Sequence, residues 1–203
     1  MRTETGTTKR RTCDSRSRTG YRSSSGAQCA ANMRQRHVSR GRSKMTPAPQ
    51  ASTAVGTRLM DAGYLLPAVP EPRADYLPAK TVGDFVFLSG QVPFVDDELQ
   101  VRGRVGDEAS EEDGTNQAAL AALNALSAAH RHLGGLDQVE VASMTVYVAS
   151  APNFSNQHLV ANGASKVVGI AFGPHPRTSI GVTALPLDAA VEVQLVLMLR
   201  RTP

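Results

Sequence analysis

Cysteine is nearly absent from this 203-residue chain, and its two copies, Cys13 and Cys29, both lie near the start. Nothing downstream of Cys29 can form a disulfide, bind a metal through thiolate or attack a substrate with sulfur. No run approaches the roughly 20 consecutive apolar residues of a membrane span. The first residues have no apolar stretch of the kind a secretory signal carries, so the body reads as soluble and cytoplasmic. A phosphate cradle is missing too, because Gly103 and Gly106 are spaced too sparsely to form one.

Charge is present but unevenly spread. Of the 22 Lys+Arg residues, 12 fall within positions 1–44, where only Glu4 and Asp14 oppose them. That segment carries net +10 and the remainder net −6, so the average pI of 9.4 describes neither part. Overall basicity therefore gives no support to nucleic-acid binding by the folded part. Residues 1–55 are rich in Arg, Ser, Thr and Gly, show neither helical nor strand periodicity, and read as a disordered extension. Three readings of it compete: a basic arm touching nucleic acid or anionic lipid, an organelle transit peptide, or an upstream extension that plays no part in the domain. The third is favoured, because Met45 opens a more ordinary leader and no apolar face makes a transit helix amphipathic.

Residues 56–203 read as one domain. Leu59 to Tyr64 suggests a short helical turn ended by Gly63, and Pro67 to Pro72 must be extended. Regular structure is expected from Thr81, with a strand at Phe85–Leu88 and a weaker one at Leu99–Arg102 after the acidic turn Asp96-Asp97-Glu98. Ser110 followed by Asp113 predicts a capped helix start, and apolar residues at helical spacing continue to Gly134. Val139–Ala149 reads as a strand and Asn156–Phe172 as a second helix, closed by Gly173-Pro174. Thr178–Leu185 and Ala190–Leu199 read as two strands of a hairpin turning at Pro186-Leu187-Asp188. This order predicts an α+β fold, a mixed sheet with two helices packed on one face. Both sides of the last strand hold apolar residues, which implies partner subunits on the uncovered face.

Glu192 is the chemical anomaly, a lone carboxylate within Ala189-Ala190-Val191-Glu192-Val193-Gln194-Leu195. Such a group either points to solvent or is held for use, since burying it unpaired costs several kcal/mol. Arg177, Ser179, Gly181 and Thr183 share one face of the preceding strand. In a hairpin, Arg177 and Glu192 could line one pocket, the guanidinium taking a substrate carboxylate bidentately while the acid aligns or deprotonates water.

The run Arg177-Thr178-Ser179-Ile180-Gly181-Val182-Thr183-Ala184-Leu185-Pro186-Leu187-Asp188-Ala189-Ala190-Val191-Glu192-Val193 resembles the C-terminal signature of the YjgF/Rid family, also named endoribonuclease L-PSP. Phe87-Leu88-Ser89-Gly90-Gln91-Val92-Pro93 and Asn162-Gly163-Ala164-Ser165 extend the likeness from about Tyr76 to the C-terminus. The resemblance implies a bacillary chorismate-mutase-like fold, a homotrimer and a ligand cleft between adjacent subunits. It implies that Arg177 grips a substrate carboxylate, that Glu192 positions water, and that Tyr76, Ser89 and Asn162 line the pocket, and Ser179, on the arginine's strand, is a further candidate substrate-binding residue. The reaction implied is hydrolysis of 2-imino or enamine acids to 2-oxo acids and ammonia, with no cofactor. Ser179 stands where many members carry cysteine or threonine, Gln194 replaces a second acid, and residues 154–162 run longer than in the deaminases. The Asn162-Gly163-Ala164-Ser165 block and the Gly181-Val182 to Leu185-Pro186-Leu187 block resemble a less characterised branch, for which a non-catalytic module binding small carboxylates is the alternative. RNA cleavage, suggested by the family's other name, finds no support in a body of net −6.

Other polar residues are read structurally. His130 and His132 belong to a helix end, His158 and His175 lack ligand spacing, and Glu111-Glu112-Asp113 complements a helix dipole. His175 alone, two residues before Arg177, could reach the cleft.

Overall fold

The computed structural model describes residues 53–68 and 75–200. The basic extension lies outside these residues except at its last positions, where Thr53 already caps helix α1 (Ala54–Asp61). Three hydrogen bonds to two side chains hold the start of α1. The Thr53 hydroxyl accepts from the Gly56 N–H, and the Asp137 carboxylate accepts from the Ala54 and Val55 N–H groups at 2.9 Å each. Those donors favour the ionised carboxyl, so the pKa of Asp137 lies below its ordinary value. Val55 and Leu59 are buried, and the turn closes with Gly63 at φ +82°.

Strands β1 (Ala79–Val82) and β2 (Phe85–Leu88) form a tight hairpin, in which Val82 pairs with Phe85 across Gly83-Asp84. Regular structure begins at Ala79, two residues before the expected Thr81, and β1 is a strand that the sequence does not announce. Its exposed positions Lys80, Thr81 and Val82 give it no apolar alternation to detect. A second small hairpin joins β3 (Phe94–Val95) to β4 (Glu98–Leu99). Asp96 and Asp97 make this turn with φ +49° and +64°, a pair of left-handed residues that a two-residue loop needs. The strand predicted at Leu99–Arg102 is thus confined to its first residue.

Helix α2 (Glu111–Leu133) follows the prediction closely. Ser110 and Asp113 form a reciprocal capping box, and Gly134 ends the helix at φ +72°. Its Ala118, Ala121, Ala122, Ala125 and Leu126 are buried against the sheet. Strand β5 (Val139–Ala149) also matches. The predicted second helix is two pieces, α3 (Gln157–Val160) and α4 (Asn162–Phe172), divided at Ala161. Strands β6 (Arg177–Val182) and β7 (Val191–Leu199) complete the sheet.

The sheet order is β1-β2-β7-β5-β6. Strand β6 is not the hairpin partner of β7. It runs parallel to β5, whereas β7 lies antiparallel to β5 on the other side. The physical reason is the connection: β5, the α3–α4 crossover and β6 form a βαβ unit, which sets β6 beside β5. The eight residues from Thr183 to Ala190 then carry the chain past β5, through a 3₁₀ turn at Pro186–Asp188. Leu187 and Asp188 take φ +59° and +63° there.

The helices cover one face, and Met144, Val146 and Val148 of β5 with Val191, Val193, Leu195 and Leu197 of β7 are buried beneath them. The fully buried Leu195 and Leu197 each contribute about 1.5–3 kcal/mol. The opposite face has no covering element among the described residues. It displays Phe85, Phe87 and Ile180, at 42%, 46% and 42% exposure, together with half-buried Val196 and Met198.

Gly163 sets how closely α4 approaches α2, since a Cβ there would sit 1.9 Å from the Thr115 carbonyl oxygen, a backbone atom that cannot swing aside. Gly163→Ala is therefore expected to destabilise the domain by about 1–3 kcal/mol or more, as overpacked contacts do. Thermal unfolding measures this, and an unchanged midpoint would mean that the helices separate freely.

Candidate functional site

The sheet register places the two principal residues. Arg177 pairs with Met144 and Glu192 with Tyr147. They therefore stand three residues apart along β5 and on either side of it, about 10 Å along and about 10 Å across by strand geometry. They also face opposite ways. Arg177 shares the helix-covered face with Met144, and Glu192 shares the open face with Tyr147. One protomer does not bring the guanidinium and the carboxylate together, contrary to the hairpin expectation. The predicted residues instead divide into two groups.

The first surrounds Glu192. Its side chain lies against Gly90 so closely that a Cβ there would come 1.6 Å from Glu192 Oε1. An open concavity of about 300 Å³ is lined by Gly90, Tyr147, Leu185, Glu192 and Gln194. The Glu192 carboxylate is half-buried and makes no hydrogen bond to the described residues. Burial alone pushes its pKa above the ordinary value, which makes the ionised form a stronger base. Tyr147 donates its hydroxyl to Gln194 Oε1 at 3.3 Å. Ser89, next to Gly90, donates its hydroxyl to the Leu77 carbonyl at 2.7 Å. This bond ties the segment carrying the exposed Tyr76 to the end of β2. Gln91 then pairs with Val193 through both backbone groups, fixing Gly90 against Glu192.

The second group surrounds Arg177. Its Nη1 donates to Asn162 Oδ1 at 3.0 Å and to Ser165 Oγ at 2.9 Å, and its Nη2 donates to the His158 carbonyl at 3.2 Å. Every one of these acceptors is neutral. No carboxylate lies within ion-pairing distance of Arg177 among the described residues. Of the five guanidinium N–H groups, Nε–H and one Nη2–H remain, two donors available to an anion. Ser179 is half-buried on the same face, two residues further along β6.

Sequence reasoning missed Gly90, Tyr147, Leu185 and Ser165 as site residues. The period of two along β5 places Tyr147 on the open face, but its relation to Glu192 follows only from the β5–β7 register. Among the described residues no group of three or more His, Cys, Asp or Glu is arranged to hold a metal, and no helix is long and apolar enough to cross a membrane.

Gly90→Ala tests the first group. The atoms met by the new methyl belong to the flexible Glu192 side chain, so the fold should persist while the carboxylate is displaced. Circular dichroism is expected to be unchanged. Any activity that depends on Glu192 should fall nearly as far as in Glu192→Gln, and wild-type activity would show that the close approach has no role.

Helices on one face of a five-stranded mixed sheet, with the other face open, define a chorismate-mutase-like α+β protein of the YjgF type. The endoribonuclease L-PSP family model matches residues 67–198, and the chain belongs to this family, the YjgF/Rid family. It is 36% identical over 148 residues to Protein TCP17 of Trypanosoma cruzi, covering 70% of this chain and 92% of that protein. It is 26% identical over 129 residues to Protein MMF1, mitochondrial, of Saccharomyces cerevisiae, covering 63% and 77%. The crystal structure of Atu1372 from Agrobacterium tumefaciens, described as of unknown function, superposes with TM-score 0.67 at 32% identity, covering 71% of this chain and 92% of that one. A crystal structure from Shewanella oneidensis superposes with TM-score 0.69 at 24% identity, covering 72% and 100%, a likeness of fold alone.

Proposed function

We propose that the protein hydrolyses small 2-imino or enamine acids to 2-oxo acids and ammonia, in sites completed between adjacent copies of a homotrimer. The observation that carries this reading is the division just described. A basic carboxylate without a partner stands on an open sheet face, and an arginine without a carboxylate stands at an exposed sheet edge. Neither half is a site alone. Edge strand β6 of one copy, laid against the open face of the next, would place Arg177 and Asn162 across from Glu192, Gly90 and Tyr147. Phe85, Phe87 and Ile180 would supply apolar area for that contact.

In such a cleft the free Nε–H and Nη2–H of Arg177 hold the substrate carboxylate, with Ser89 and Tyr76 near the rim. Ionised Glu192 accepts a proton from water as its oxygen bonds to the imine carbon, giving a carbinolamine. Glu192 returns that proton to nitrogen to complete the carbinolamine, then moves the carbinolamine hydroxyl proton to the same nitrogen as the C=O bond forms and the C–N bond breaks, releasing ammonia and leaving the carboxylate ionised again. The protein's own part in each step is proton transfer.

The test is ammonia release from 2-iminobutanoate generated in situ, compared with the buffer rate. Rapid, protein-dependent release supports the proposal. Binding of 2-oxo acids without any release would favour a non-catalytic carboxylate-binding module, for which the same two half-sites would serve. The proposal places the protein in the cytoplasm. Imaging of the tagged full chain checks this, and a mitochondrial signal would instead make the basic extension a targeting segment.

A further inference from the structure

Arg177 is held by more than its immediate acceptors. The Ser165 oxygen that accepts from Nη1 also lies 3.2 Å from His175 Nε2, and His175 Nδ1 lies 3.0 Å from the Gly173 carbonyl. For the neutral imidazole the donors and acceptors in this chain have one consistent assignment. A carbonyl only accepts, so Nδ1 carries the hydrogen; the Nε2 of that neutral tautomer then accepts, and the Ser165 hydroxyl donates to it. With its hydrogen committed, the Ser165 oxygen turns its lone pairs to the guanidinium, which can only donate. The chain of bonds starts at the C-terminal cap of α4 and returns to Ser165 on the same helix. Its backbone is stiff where it matters. His175 precedes Pro176, which biases it to an extended conformation, and Gly173 takes φ +88° ahead of Pro174. Met144 N–H bonds to the Pro176 carbonyl, fixing the entry into β6.

We infer that His175, acting through Ser165, is a positioning residue that fixes the Arg177 guanidinium with Nε–H and one Nη2–H presented to an anionic substrate. The inference rests on the reading of Arg177 as the carboxylate anchor. Its predicted signature is in binding rather than in chemistry, because neither His175 nor Ser165 reaches the reacting carbon in that scheme.

The experiment uses the full chain and two readouts: steady-state kinetics on 2-iminobutanoate, and calorimetric titration with 2-oxobutanoate, which needs no turnover. Ser165→Ala and His175→Phe are each expected to raise KM and the 2-oxobutanoate Kd about tenfold, the effect of one misdirected charge-assisted bond, with kcat changed by less than about twofold. The double variant should be no worse than the worse single, because both act through one chain of bonds. Ser165→Thr, which keeps the hydroxyl, should restore wild-type Kd. If Ser165→Ala and His175→Phe leave Kd unchanged while Arg177→Ala abolishes binding, the positioning role is overturned and the anchor stands. Additive effects in the double variant would also overturn it, because the two residues would then act independently. If Arg177→Ala itself leaves Kd unchanged, the anchor and the positioning role fall together.

Discussion

Glu192→Gln is expected to lower kcat for imine hydrolysis by about 10²–10⁴, the usual contribution of a positioned general base. Stability should move the other way. Burial raises the Glu192 pKa in the folded chain, so folding favours its neutral form. Stability linked to this group is therefore greatest at low pH and is lost as pH rises through the folded pKa. At neutral pH the ionised carboxylate is a cost that the neutral amide does not carry, so the variant should melt at the wild-type temperature or above it. This pairing of lost turnover with retained or increased stability distinguishes a functional carboxylate from a structural one. The same raised pKa predicts an acidic limb in the wild-type kcat/KM profile above the ordinary glutamate range, with activity rising as Glu192 ionises. That limb should vanish in the residual activity of Glu192→Gln. A profile flat through this range in the wild type would remove Glu192 from the proton transfer.

Arg177→Ala is expected to lower kcat/KM for carboxylate-bearing imines by at least about a hundredfold, because two charge-assisted hydrogen bonds to the substrate are lost. Arg177→Lys should recover little of it. A lysine keeps the charge, but it cannot donate to Asn162, Ser165 and the His158 carbonyl while presenting a two-pronged fork outward. Truncation also leaves Asn162 Oδ1 without its donor and the Ser165 oxygen with one partner fewer. Both positions have access to water, however, so the fold should survive. Full turnover of 2-iminobutanoate by Arg177→Ala would remove the anchor.

Much of this architecture was legible from local chemistry. The Ser110–Asp113 capping box and Gly134 bound α2 to the residue, and β-branched alternation bounds β5. Local signals are blind to partner choice, and there the reading failed. Residues 177–182 and 191–199 look like neighbours because they are consecutive strands, yet the helix between β5 and β6 had already fixed their parallel pairing. The error carried into the site. Parity correctly grouped Arg177 with Ser179 and Gly181, but a hairpin would have turned that group toward Glu192, whereas β5 stands between them. For His175 the sequence offers only its missing ligand spacing and its closeness to Arg177, and neither points to its actual contact, a serine ten residues earlier reached because the chain doubles back after α4. Gly90 stands out in the sequence only as part of a motif, and its reason, the carboxylate lying where a methyl would be, is visible only in three dimensions.

The central claim, that Arg177 and Glu192 of different copies form each site, has a direct test in heteromers. Arg177→Ala and Glu192→Gln, each inactive alone, are co-expressed with different tags, and assemblies carrying both tags are purified and assayed for ammonia release. Because one variant keeps Glu192 and the other keeps Arg177, some interfaces in every mixed assembly regain a complete pair. Each mixed trimer of closed cyclic symmetry then regains one complete site of its three, so the doubly tagged assemblies should show about a third of the wild-type activity. Doubly tagged assemblies as inactive as either parent would contradict the account, because each site would then draw both residues from one chain or need neither arrangement.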